Sequence, residues 1–288
     1  LVANGGLVAL AGMLAEHFGA IEGASIDANK GAYSSAWMII FAVIAAVMVL
    51  LGLYHIKMLP STQVPATGKK TTSEIMQDLV NVIGNFFTKK HIVYYIFFII
   101  LYRLAEGFIM KVAPLFLRAS REVGGLGLSL TEIGTLNGVF GSAAFVIGSL
   151  LGGIFVARYG LKKTLFMLCC VFNLPFLAYT FLAVVQPTSL YLIGTCITME
   201  YFGYGFGFVG LTLFMMQQIA PGKHQMSHYA FASGIMNLGV MLPGMISGYF
   251  SDLLGYRSFF IYVLIATIPA FLMTYFIPFT YDDSKKKK

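Results

Sequence analysis

Two charges three residues apart, Arg103 and Glu106, interrupt the apolar run HIVYYIFFIILYRLAEGFIMKVAPLFL at 91–117. A third, Glu200, stands inside another, SLYLIGTCITMEYFGYGFGFVGLTLF at 189–214. An ionised side chain at the middle of a bilayer costs roughly 2.5–3.5 kcal/mol on insertion scales, and such residues commonly handle protons, ions or charged solutes. Spacing i, i+3 puts Arg103 and Glu106 on one helix face, together with Tyr95, Ile99 and Met110. At 1.5 Å per residue Arg103 lies about 18 Å into its run, and Glu200 about 17 Å from the opposite end of its own. The charges are therefore expected at similar depth. Two readings stay open at this point: an ion pair that only locks helix packing, or a site for protons and solute.

Other spacings carry less. Gly205, Gly207 and Gly210 spell G-x-G-x-x-G, but no strand precedes them, so a dinucleotide loop is not expected. Gly203 with Gly207, and Gly134 with Gly138, read as faces where helices approach closely. His224 and His228 are i, i+4 without a third ligand type nearby, so no metal site is expected. Cys169, Cys170 and Cys196 fall in apolar segments without metal spacing and read as small buried hydrophobes. Neither H-E-x-x-H nor G-x-S-x-G occurs, which leaves a membrane hydrolase without its chemistry. The chain reads as no enzyme, with no catalytic residues and no cofactor.

These residues must be positioned by helices. Hydrophobic residues make up 58% of the 288 and charged ones 11%, whereas soluble domains carry about 25% charged residues. Apolar runs long enough to cross a bilayer core as helix recur, without the alternation of membrane strands. The fold class is an all-α membrane protein with eight spans, at roughly 1–19, 33–54, 91–117, 131–157, 162–185, 189–219, 227–254 and 256–278. Pro175 and Pro243-Gly244 are expected to bend theirs. The segment 55–90 opens with linker composition, PSTQVPATGKK. It continues with Ile75, Leu79, Val82, Ile83 and Phe86 at helical spacing, which predicts a surface helix with Ser73 as a possible cap.

Basic residues set the orientation. Lys57, Lys69, Lys70, Lys89, Lys90, Arg158, Lys162, Lys163, Lys223 and Lys285 to Lys288 fall on one side, which we assign to the cytoplasm with the C-terminus. The net charge of +7 therefore reads as topology. No basic patch with interleaved stacking aromatics suggests nucleic acid.

A repeat links distant spans. Gly12, Glu16 and Gly19 end the first span as G-x3-acid-x2-G, and Gly248, Asp252 and Gly255 end the seventh the same way. A six-span period in one orientation indicates parallel repeats. A third version, with Gly153, Arg158, Gly160 and Lys162, ends the fourth span and has Ala157 where the acid would stand.

The GGIFVARYGLKK stretch resembles the cytoplasmic-loop motif of the major facilitator superfamily. YRLAEG, SLTEIG at 129–134, Met199-Glu200 and SHYAFASG at 227–234 resemble AmpG-like muropeptide permeases over about 91–278. The resemblance implies the major facilitator fold, with the eight spans as family helices 5–12 of an expected twelve, and helices 1–4 expected upstream. It divides the chain into two last helices of an N-terminal bundle at 1–54, a cytoplasmic linker with its helix at 55–90, and a six-helix bundle with a basic tail at 91–288. It implies a permease of the bacterial inner membrane, acting as a monomer in the lipid bilayer and importing anhydromuropeptides with protons. A carrier of another oligosaccharide or an acyl-CoA-type solute remains the alternative, as does a non-transporting membrane fragment. Arg103, Glu106 and Glu200, with Tyr102, Tyr201 and Asn137, are assigned to the substrate and proton cavity. Gly153, Arg158, Gly160 and Lys162 are assigned to a gating loop.

Overall fold

The computed structural model describes residues 2–21, 26–58 and 71–281. The sequence-predicted linker at 60–70 and the basic tail at 285–288 lie outside them. Every regular element among the described residues is helical, as expected where the bilayer offers the backbone no hydrogen-bond partner. Helix α1 (Val2–His17) turns at Gly19 toward α2 (Ile26–Met58). Ile21 and Asn29 exchange two hydrogen bonds across that turn, at 2.9 and 2.8 Å. Most of α2 is exposed apolar surface.

The surface helix predicted from periodicity is α3 (Thr72–Phe87). Its cap is Thr71 and not Ser73, with the Glu74 carboxylate accepting from the Thr71 N–H at 2.8 Å. Phe86 is buried against His228 and Phe231, and this contact holds α3 to the bundle. The next span is split into α4 (Ile92–Tyr102) and α5 (Leu104–Arg118). The fourth runs as α6 (Leu130–Thr135), a π-turn over Leu136–Gly141, and α7 (Ser142–Tyr159). Pro175 divides the fifth into α8 (Leu161–Asn173) and α9 (Phe176–Val185). The sixth, α10 (Leu190–Phe214), ends in a second π-turn over Met215–Ile219. A 42-residue stretch, α11 (Gln225–Ala266), is really two helices, because Gly255 has φ 70° and ψ 159°. Its second limb continues into α12 (Ile268–Tyr275).

Five helical stretches among the described residues are long and apolar enough to cross a membrane, and the last of them, 51 residues, is twice the necessary length and folds back at Gly255. With α10 and α1 they make the eight expected spans. Gly19, Gly160 and Gly255, the closing glycines of the three repeat copies, all have positive φ, at 89°, 82° and 70°. Glycine alone enters that region at no steric penalty. The shared motif is thus a reversal device that ends its span, and at Gly160 and Gly255 the next helix starts with almost no loop.

The bundle is held by close backbone approach. Helix α10 is wedged between α7 and α8. A Cβ on Gly152 would lie 2.5 Å from the Phe206 carbonyl, and one on Gly207 2.5 Å from that of Leu168. Gly148 and Gly205 close the same α7–α10 seam. Where lipid is as apolar as leucine, such seams supply the packing that water would otherwise drive. Gly203 and Gly207 thus do what their spacing predicts, both facing α8. Gly134 and Gly138 are buried in α6 and the first π-turn.

Candidate functional site

Arg103 interrupts its span. Its backbone, at φ −104° and ψ 4°, ends α4 and begins α5, and Gly107 N–H bonds back to its carbonyl at 3.0 Å. No proline or glycine at the break announces it. Glu106 falls in the first turn of α5, where a helix N-terminus favours negative charge. The guanidinium grips that carboxylate in two places, Nε to Oε2 at 2.6 Å and an η nitrogen to Oε1 at 2.5 Å. Both residues are buried, at 5% and 7% exposure. The face of Phe208 lies 5.3 Å from the guanidinium carbon.

Helix α10 faces this pair with Glu200, Tyr204 and Phe208, one turn apart along a single stripe. Tyr204 is within electrostatic reach of both Arg103 and Glu106. Glu200 is within reach of Glu106, but it is half-buried and makes no hydrogen bond or ion pair to a described residue. The expectation of equal depth for Arg103 and Glu200 is refined: the guanidinium lies level with Phe208, about 12 Å along α10 from Glu200. Glu106, reaching back from the following turn, is the member of the pair that Glu200 senses.

The remaining expected residues separate. Tyr201 lies on the same side as Glu200, its ring resting on Gly141 in the first π-turn. Asn137 lies in that π-turn, and its Oδ1, like Ser142 Oγ just beyond, is buried without a hydrogen-bond partner among the described residues. π-turns frequently mark functional positions; the sequence offered no signal for this one. Tyr102 is not a cavity residue here. It is fully buried, packed on Phe98 and Phe172, and its hydroxyl donates to the Gly207 carbonyl at 2.9 Å. A groove of about 790 Å³ between α7 and α10, lined by Leu136, Phe140, Tyr191, Met199 and neighbours, is apolar and opens on the opposite side of α10 from the charges.

At the helix ends, Glu16 accepts from Thr131 Oγ1 at 3.0 Å, and Gly12 faces that same threonine. The first repeat copy therefore seats α1 on the start of α6. Gly248 faces open space, and Asp252 is exposed. In the fourth span the motif glycine Gly153 faces open space while its neighbour Gly152 makes the close contact. Arg158 lies over the Tyr159 ring at 5.5 Å. Lys162 is in the first turn of α8. His228 bonds the Val82 carbonyl at 3.2 Å and helps seat α3. No cluster of three metal-ligating residues occurs among the described residues.

Ionisable side chains buried on membrane-crossing helices commonly handle protons, ions or charged solutes. The chain belongs to the Major Facilitator Superfamily, whose family model matches residues 4–221 and 126–288. It is 23% identical over 197 residues to the "Anhydromuropeptide permease" of Escherichia coli (strain K12), covering 68% of this chain and 39% of that one. It is 24% identical over 220 residues to "Putative transporter AmpG 1" of Rickettsia conorii, covering 76% and 50%. It is also 24% identical over 267 residues to "Putative transporter AmpG 4" of the same organism, covering 92% and 61%. The chain spans about two fifths to three fifths of the length of these relatives. They are AmpG-like transporters, as the sequence motifs suggested.

Proposed function

We propose that the chain belongs to a proton-coupled permease that carries anhydromuropeptides, or related sugar-peptides, into the cell by alternating access. We place it as a monomer in the bacterial inner membrane, with the side bearing α3, Lys223 and the tail in the cytoplasm. Residues 1–54 would close an N-terminal bundle, 55–90 would link it, and 91–288 would form the C-terminal bundle and tail. Two supports are the family membership and the names of the relatives.

The observation that carries the reading is the unequal state of two neighbouring glutamates. Glu106 is clamped by Arg103 and Glu200 is not. A carboxyl removed from water holds its proton, and one beside a guanidinium releases it. An arginine that exchanges Glu106 for an acidic group of the substrate would therefore change which carboxyl is protonated. In this reading Tyr201, Tyr204 and Asn137 would meet sugar hydroxyls and amides of the substrate. Arg158 and Lys162, beside the turn at Gly160, would act at the gate together with Gly153 of α7.

The test compares Glu106→Gln and Glu200→Gln in the complete gene product. Uphill uptake and downhill exchange of preloaded substrate are measured separately. A coupling residue loses the first and keeps much of the second. If both variants still accumulate substrate against its gradient, neither glutamate carries the proton.

A further inference from the structure

Away from the central charges, a basic site lies where the α3–α4 junction meets the second π-turn and residues 280–281. A cavity of about 460 Å³ opens there, lined by Lys89, Lys90, Gln217, Gln218, Thr280 and Tyr281 among others. Its floor is built. Gln218, 7% exposed, donates from Nε2 to the Tyr281 carbonyl at 2.8 Å, and its Oε1 accepts from the N–H groups of Thr280 and Tyr281 at 2.9 and 3.0 Å. Lys89 reaches across with its ammonium to the carbonyls of Ile219 and Pro221. An ammonium has three donors, so a third remains. Neither lysine has a carboxylate partner among the described residues, and Lys90 is exposed. Burial lowers the pKa of Lys89 from its ordinary value, and an anion beside it would restore the charged form.

Lys89 and Lys90 closely follow α3, which carries an apolar stripe. Met76, Leu79, Val80, Ile83 and Phe87 are all exposed and lie within about 100° of one another around α3 at 100° per residue. The neighbouring face of α3, through Phe86, is already docked on α11. The stripe therefore remains open, at the end of the spans where a bilayer surface must lie. Four further lysines, Lys285 to Lys288, follow Tyr281 in the sequence, with Asp282, Asp283 and Ser284 between.

We propose that this groove binds an anionic phospholipid, the headgroup phosphate against Lys90 and the third N–H of Lys89, the acyl chains along the α3 stripe. Paired lysines match the phosphate, and the stripe matches the chains. Basic pockets between membrane helices take such headgroups. A free phosphate would use the same lysines but not the stripe, and this difference separates the two sources. The proposal requires only that the chain spans a membrane, so it stands or falls independently of the coupling scheme.

The experiment uses the complete gene product, reconstituted in bilayers of equal phosphatidylglycerol and phosphatidylcholine and then released for native mass spectrometry. Phosphatidylglycerol should be retained preferentially. Lys90→Gln should reduce that preference about fivefold, the weight of one lysine at an anionic surface, and Lys90→Arg should keep it. Lys89→Gln also removes two carbonyl contacts, so Lys90 is the informative position. Val80→Ser with Ile83→Ser should weaken lipid retention while leaving both lysines in place. Equal retention in the native protein and Lys90→Gln would overturn the proposal. So would loss of the bound lipid to millimolar inorganic phosphate together with indifference to the stripe substitutions, which would make the ligand free phosphate.

Discussion

Replacing Glu106 by glutamine removes one charge and changes little in shape, so its effect can be worked from the geometry around Arg103. The guanidinium loses its counter-charge and one of its two short contacts, at 2.5 and 2.6 Å, because an amide offers one acceptor oxygen in place of two, and it remains buried at 5% exposure. It keeps the Phe208 face at 5.3 Å, worth about 0.5–2 kcal/mol. Removing one partner of a buried pair costs about 3–5 kcal/mol, because the other charge is left uncompensated. We therefore expect Glu106→Gln, and likewise Arg103→Met, to destabilise the protein by about 3 kcal/mol. The double variant Arg103→Met with Glu106→Leu should recover most of that loss, since an apolar pair of similar volume is often neutral or stabilising. Denaturant or thermal unfolding of the native protein, Arg103→Met, Glu106→Leu and their double variant in one detergent closes a double-mutant cycle, with Glu106→Gln measured beside them. Uphill uptake is measured on the same proteins. Recovered stability with transport abolished is the expected outcome. A double variant that still accumulates substrate would reduce the pair to a packing device, and a fully stable Glu106→Gln would refute its energetic role.

Gly152→Ala should push α7 from α10, since its Cβ would lie 2.5 Å from the Phe206 carbonyl; a loss of about 1–3 kcal/mol is expected from overpacking, read by unfolding midpoint. Gly153→Ala, which faces open space, should leave that midpoint essentially unchanged. Gly255→Ala meets no atoms but places a side chain at φ 70° and ψ 159°, a region essentially reserved for glycine, so about 1–3 kcal/mol of backbone strain is expected and should appear as lower yield of folded protein. Arg121→Ala should free the α5–α6 loop from the carbonyls of Gln186 and Pro187. Faster hydrogen exchange there, with the global midpoint little changed, is the measurement to make.

Much of the molecule was legible before any coordinates. Apolar runs of bilayer length have one structural solution, a helix, so the span positions near 92–118, 130–159, 161–185 and 225–254 followed from composition. Glycines at a fixed interval from the span ends marked the reversals at Gly19, Gly160 and Gly255. The i, i+3 spacing of Arg103 and Glu106 already implied their pairing, because neighbours on one helix face meet whatever packs against them. What the tertiary structure decided is every choice that depends on a second helix. Gly152 and not Gly153 meets α10, because only the direction of approach distinguishes adjacent glycines. Tyr102 locks α4 to α10 through the Gly207 carbonyl, which no spacing within its own span reveals. The break at Arg103 and the π-turn at Leu136–Gly141 carry no proline signature. Each is a local departure from α geometry accommodated by the neighbouring helices, and a linear pattern of residue types does not encode it. That Glu106 is paired while Glu200 is left open is likewise a property of the assembled bundle: charge and spacing name the candidates, and only packing decides which of them meet.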